Sequence, residues 1–257
     1  MRAFHVRPVR PSMSANDLDK FVTAVAAGAL IPDPGTMFNP WGDHDLVHDQ
    51  SPEAPQIRAD HLLRYLAARL GRARVLLIAE APSYSGAKFS GMAMTSERDV
   101  LARCAGGHGD DYFDDCFGDC FGGGFRRTSR ELPQLKNRDG MLERTASIVW
   151  GAMRDQNWQA RDFVLWNAVA YHPHLAGQPL TNRAPGVSER RALRPLLEQF
   201  LALFPGVPRL AIGRICQASL ADMGIEALPA RHPSYGGAPE FRAAVSALRE
   251  RITDGQV

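Results

Sequence analysis

Four short apolar runs, separated by stretches of helical periodicity, constrain this chain more than any other feature. They are residues 74–79 (RVLLIA), 162–169 (DFVLWNAV), 209–212 (RLAI) and 225–229 (IEALP). The first two are nearly continuous in apolar side chains, the pattern of strands covered on both faces. Between and around them, residues 16–30, 57–70, 140–153, 188–204, 214–223 and 239–252 repeat apolar positions at helical spacing. Strands alternating with helices imply a three-layer α/β/α sandwich around a mostly parallel four-stranded sheet. No internal repeat interrupts that order. The expected organisation is one domain over 1–257, with a helix and an irregular extension in residues 1–55 and a surface excursion at 104–124. In such sheets a ligand binds outside the C-terminal ends of the strands. That rule selects residues 80–84, 167–174 and 231–235, which are also the most polar and turn-rich stretches following the runs.

Composition narrows the classes without choosing a function. The 257 residues are 45% hydrophobic and 23% charged, which excludes a disordered, collagen-like or coiled-coil chain. Thirty basic residues against 28 acidic ones give +2, too little to specify a partner, although positive charge can still gather in one groove. Residues 1–14 carry Arg2, Arg7 and Arg10 with no apolar run after them, so no signal peptide is expected. No apolar stretch is long enough to cross a bilayer. Three of the four cysteines, Cys104, Cys116 and Cys120, crowd into one Asp/Gly-rich segment and Cys216 stands apart. That is no secreted disulfide framework, and a cytoplasmic location is expected. With His108 the three could form a ligand set, but the C-x3-H and C-x3-C spacings are loose for zinc, and no metal is expected.

Three segments, in order, resemble motifs of the uracil-DNA glycosylase superfamily. Glu80-Ala81-Pro82 follows the first strand, and Trp166-Asn167-Ala168-Val169 precedes Asn182-Arg183-Ala184-Pro185 and Glu189. Arg231-His232-Pro233-Ser234 closes the fourth strand. The match is to the iron–sulfur bacterial branch and covers roughly residues 74–245. It implies a uracil-DNA glycosylase-like fold and hydrolysis of the bond between uracil and deoxyribose in DNA, releasing free uracil and leaving an abasic site. The setting would be base excision repair, by a monomer without a cofactor.

The residue types suit that chemistry. A glycosylase takes its nucleotide out of the stack and reads the base edge in a pocket. The Asn167 amide carries an acceptor beside a donor, complementary to the N3–H and O4 of uracil and mismatched to cytosine. A histidine donor aimed at uracil O2 stabilises the departing anion where its charge develops, a role the resemblance gives to His232. Ala81, Ser83 and Tyr84 would line the base pocket. Glu80 would orient water or stabilise the cationic sugar, with Glu97, Glu143 and His172 as further candidates. Ser234 and Arg183 would meet DNA phosphates, with Arg126, Arg127 and Arg130 as additional cations. Residues 38–41 (FNPW) would cover the site entrance.

The match also breaks. The cluster-ligating cysteine after the asparagine is replaced by Ala170-Tyr171-His172, and no cysteine precedes residue 104, so no iron–sulfur cluster is expected. Ala81 stands where some members carry a water-binding aspartate. Met94 occupies the place of the aromatic that stacks on uracil, with Phe89 or Tyr84 as substitutes. Tyr235 or Arg231 would be the wedge that fills the vacated stack. Other readings therefore stand: a catalytically weakened uracil- or DNA-binding module, a glycosylase for another deaminated base, a covalent trap for abasic sites, or an unrelated α/β enzyme. No lysine sits in the motifs, so no Schiff-base lyase step is expected.

Overall fold

The computed structural model describes residues 14–104 and 124–256. In chain order the first elements are α1 (Ala15–Ala27), β1 (Met37–Phe38), α2 (Ala54–Ala67), β2 (Val75–Ala79), α3 (Ala87–Ser90) and α4 (Glu97–Cys104). After residue 124 come α5 (Arg144–Asp155), β3 (Phe163–Asn167), β4 (His172–Pro173), α6 (Val187–Leu203), β5 (Arg209–Ile212), α7 (Arg214–Ala221), β6 (Leu228–Ala230) and α8 (Ala238–Thr253).

The four apolar runs form one parallel sheet in the order β3-β2-β5-β6, the α/β architecture expected. Register pairs Ala79 with Asn167, Ile78 with Ala211 and Ile212 with Ala230. From β2 the chain crosses to β3 on one side, then returns past β2 to β5 and β6 on the other. Right-handed crossovers in opposite directions put α5 and α6 on opposite faces. Helix α1 packs against α2 and α6, and α8 packs against α5. Every residue of β2 and β3 is buried. An aromatic ladder fills one layer: Trp166 stacks on Phe200 at 4.9 Å and on Trp41 at 5.7 Å.

Several boundaries move for local reasons. Helix α1 ends at Ala27 because Gly28 takes the left-handed conformation (φ 65°) and donates back to the Val25 carbonyl. Helix α2 starts at Ala54, with Pro55 in its first turn, where its missing N–H costs nothing. The fourth strand lies at Leu228–Ala230 and contains Pro229, which an edge strand accommodates.

Residues 38–41 do not cover the site entrance. Phe38 pairs with His172 in a two-residue antiparallel ladder between β1 and β4, and Trp41 is buried, donating through Nε1 to the Gly91 carbonyl. The neighbouring irregular stretch is organised by Arg58, whose buried guanidinium donates to the Pro40 and Asp43 carbonyls and to both Asp49 oxygens. Lys88, equally buried, pairs with Asp45 at 2.8 Å over the Phe38 ring. The cysteine-rich excursion lies, apart from Cys104 and Gly124, outside the described residues. No helix among the described residues is long and apolar enough to cross a membrane.

Glu97 holds the other side of the future site. Its two oxygens accept from the Thr128, Ser129 and Met141 amides and from the Ser129 hydroxyl, while the Thr128 hydroxyl donates to the Phe89 carbonyl. With its acceptor capacity spent there, Glu97 fixes the loop leading to Glu143 and has no place in chemistry. Glu97→Ala would strand several buried donors, each costing about 1–3 kcal/mol. Urea unfolding should therefore show a loss of roughly 3 kcal/mol or more, among the larger single-substitution effects.

Candidate active site

The C-terminal ends of β2, β3 and β6 open onto one cleft of about 770 Å³. It gathers Glu80, Ala81, Ser83 and Tyr84 from the β2 loop, Met94, Asn167, Arg183, and His232, Ser234 and Tyr235 from the loop after β6. Segments far apart in sequence converge here because parallel strands deliver their ends to the same sheet edge. Glu143, Thr145 and Asn182 complete the walls.

Asn167 is the last residue of β3 and is 4% exposed, yet its side-chain amide takes no hydrogen-bond partner among the described residues. The amide lines the cleft without a partner, so its acceptor and its donor are free to pair with a group that enters. His232 is fixed by its own loop. The Ser234 N–H donates to Nδ1 at 3.2 Å, and the Ser234 hydroxyl lies 2.7 Å from the same nitrogen. Nδ1 is thus an acceptor, which leaves the proton of the neutral ring on Nε2. Burial holds the imidazole below its usual pKa, against the opposing pull of Glu80. His232 is therefore a neutral donor near neutral pH.

Two carboxylates line the cleft and differ in environment. Glu80 Oε1 accepts from the Ile215 N–H at 3.1 Å, in the first turn of α7. The chain passes so close beneath it that a Cβ on Gly213 would collide with this carboxylate, and Gly213 also holds φ at 85°. Glu143 is more enclosed. Its Oε1 accepts from Ser83 Oγ at 3.0 Å and Thr145 Oγ1 at 3.1 Å, whereas Oε2 is buried without a partner and packs against Gly86, where any side chain would clash. Loss of solvent pushes its pKa up to about 7. In the sequence Glu143 resembles an ordinary acid at a helix start; only its burial against Gly86, far away in the chain, sets it apart.

Other predicted positions take different places. Arg183 lines the cleft, but its guanidinium donates to the His174, Ala184 and Thr36 carbonyls and to both Glu189 oxygens, which makes it a clamp rather than a phosphate ligand. Arg231 is not a cleft-lining residue; it pairs with Glu240 at 2.5 Å and reaches the Tyr235 carbonyl. The Ser234 hydroxyl proton is committed to His232, so Ser234 positions the ring instead of meeting a phosphate. Arg127 donates to the Ser129, Asn137 and Arg138 carbonyls, whereas Arg126 and Arg130 are exposed. His172 is buried between the Pro82 and Pro179 carbonyls and pushed down to about 4, a neutral brace for the β2 loop. Phe89 is fully buried away from the cleft. Met94 lines it in a left-handed backbone conformation (φ 47°), a strain that side chains other than glycine seldom carry. Tyr235 has φ 51° and is 98% exposed at the rim.

No family model matches the chain, and no curated protein sequence matches it. Among solved structures, the crystal structure of wild-type SMUG2 from Pedobacter heparinus is similar at a TM-score of 0.62. The alignment covers 94% of this chain and 97% of that one at 11% identity, a likeness of fold.

The environment of Glu143 has a measurable consequence. Its pKa rises from 4.5 in the unfolded chain to about 7 in the folded protein, so stability is lost progressively as pH rises between those values. The full loss is on the order of 3 kcal/mol. Glu143→Gln does not titrate. Its stability relative to the wild type should rise from pH 4.5 to 7 and level off above, as followed by thermal melts across that range.

Proposed function

We propose that this protein is a uracil-DNA glycosylase that hydrolyses the N-glycosidic bond of a flipped-out deoxyuridine. The observation that carries the reading is the pairing, in one cleft, of the unpartnered Asn167 amide with the neutral Nε2–H donor of His232. The fold shared with the Pedobacter heparinus SMUG2 structure supports it.

In this reading the Asn167 amide accepts from uracil N3–H and donates to O4. Cytosine would set donor against donor and acceptor against acceptor, leaving buried groups unpaired at about 1–3 kcal/mol each. Met94 packs on the base face, a thioether–ring contact contributing roughly 0.3–1.5 kcal/mol. Ala81, Ser83 and Tyr84 close the pocket beside it. As the glycosidic bond lengthens, negative charge moves onto uracil O2 and His232 Nε2–H donates to it. A neutral donor in a dry site stabilises that charge without first losing a proton or reorganising.

Glu80, anchored by the Ile215 amide, is the carboxylate assigned to the sugar. It faces the growing positive charge on the deoxyribose and orients the attacking water. Glu143 keeps its proton over part of the neutral range and adds little negative charge near the departing base. Tyr235, exposed at the rim, would enter the gap left in the base stack. The substrate is DNA containing uracil, the products are free uracil and an abasic site, and the setting is base excision repair in the cytoplasm by a monomer. The reaction as written calls for no cofactor or metal. Ala81, in the position where an aspartate would hold water, favours a second reading, a uracil-binding module with weakened catalysis.

Labelled single- and double-stranded DNA carrying one uracil, followed by alkali, separates these readings. The wild type should generate alkali-labile sites. His232→Ala should lower the rate about 10²–10³-fold, the usual cost of one lost oxyanion donor. Asn167→Ala should abolish the preference for uracil. Uracil-selective cleavage that persists in Asn167→Ala overturns the pocket assignment. Uracil-dependent binding without cleavage supports the binding module.

A further inference from the structure

One short segment of the cleft wall is used neither to read the base nor to break the bond. Across residues 141–144 burial alternates: Met141 and Glu143 are 5% and 6% exposed, whereas Leu142 is 42% exposed and Arg144 is exposed after it. An extended chain imposes such alternation, and Glu143 is extended (φ −100°, ψ 112°). The two inward residues are fixed. The Met141 N–H donates to Glu97, and the Glu143 carboxylate accepts from Ser83 and Thr145. Leu142 and Arg144 are therefore carried on an anchored stretch of backbone, and both line the cleft.

Arg144 is also the first residue of α5. Its guanidinium has no carboxylate partner among the described residues, unlike that of Arg183, which Glu189 occupies. Glu143 stands at the cap position yet gives the helix no side-chain cap, and the Arg144 and Thr145 amides take no acceptor among the described residues. A permanent cation and the uncapped start of a helix of 12 residues thus share one wall, which favours an anion there. The rest of the cleft indicates which anion. The Asn167 amide, 4% exposed and unpartnered, lines the same cleft and suits an uncharged base edge. A volume of about 770 Å³ leaves room beside a planar base for its sugar and phosphate.

We propose that residues 142–145 hold the DNA strand at the flipped nucleotide. Arg144 and the first amides of α5 bind a backbone phosphate, and Leu142 packs on the adjoining deoxyribose. The proposal rests on the glycosylase reading for the identity of the strand. It gives the cleft the positive charge that positioning a strand requires and that the paired Arg183 does not supply.

The test measures binding of a fluorescent single-stranded oligonucleotide, with and without one uracil, at several KCl concentrations. Wild type is compared with Arg144→Gln, Arg144→Lys, Leu142→Ala and a charge control, Arg72→Gln. Arg72 is exposed just before β2, at the end of the sheet away from the cleft. One phosphate contact on a single strand contributes about 0.7 to the slope of log K against log salt. Arg144→Gln should lower the slope by that amount on both oligonucleotides, so its deficit shrinks about 2.5-fold between 50 and 200 mM salt. Arg144→Lys keeps the charge and should keep the slope. Leu142→Ala should bind more weakly by one factor at every salt concentration, and Arg72→Gln should match wild type. Equal slopes for wild type and a folded Arg144→Gln overturn the proposal. So does an equal loss of slope in Arg72→Gln, which would make the effect one of net charge. Wild-type affinity in Leu142→Ala overturns the role of the leucine. If inorganic phosphate raises the melting temperature of wild type but not of Arg144→Gln while the slopes agree, the wall takes a free anion and not the strand. A wild type that binds no DNA defeats the glycosylase reading itself, whereas DNA binding with an unchanged slope in Arg144→Gln defeats only the assignment of this wall.

Discussion

The site depends on the hydrogen bonding of one strand. β2 is paired on both sides in parallel, with β3 and with β5, and every one of its residues is buried. Parallel pairing leaves no freedom in where the strand ends emerge: Ala79 stands beside Asn167, and Ile212 beside Ala230, on one edge. The chain leaves β2 toward β3 and re-enters the sheet at β5, so the loops after β2 and β5 diverge and open a crevice between them. Glu80 and Gly213 meet in that crevice, and the carboxylate of one fits only because the other has no side chain. Asn167, His232 and Glu80 share a cleft as a consequence of sheet register.

Above the sheet edge, buried polar groups replace regular structure as the support. Glu97 gathers the loop that carries Glu143, Arg58 gathers residues 40–49, and His172 braces the carbonyl of Pro82. Each brings together segments that have no periodic pattern of their own. Buried networks of this kind are costly when any member is missing, which ties the loops to a single arrangement. Burial also holds several titratable groups around the cleft uncharged: His232 is neutral, His172 is neutral, and Glu143 holds a proton into the neutral range.

The fold was legible because its signals are periodic. Apolar runs of four to six residues and helical spacing both survive in a single sequence, and the strands fell within a few residues of their expected places. Strand β6 moved because Pro229 reads as a stop, although it lies at an unpaired edge. The β1–β4 ladder was invisible because two residues of backbone pairing carry no pattern. At the site, residue type was readable and its commitment was not. Arg183 looks like a phosphate ligand in sequence and Arg231 like a wedge, but Glu189 and Glu240 have taken their donors. Ser234 looks like a phosphate contact, but its proton serves His232. Glu143 looks ordinary, and becomes unusual only through Gly86, a residue with no chemistry of its own.

Under the proposed glycosylase reading, those commitments also separate two tasks. Recognition of an uncharged base, and of an anion that exists only in the transition state, is best done by neutral, fixed donors, since a permanent cation would stabilise ground-state anions as well. Holding the strand calls for permanent positive charge, because phosphate contacts position a duplex without reading it. Arg183, in the cleft wall, is neutralised by Glu189, whereas Arg144 lines the same cleft exposed and with no carboxylate partner among the described residues, so the cleft keeps a permanent cation beside its neutral donors.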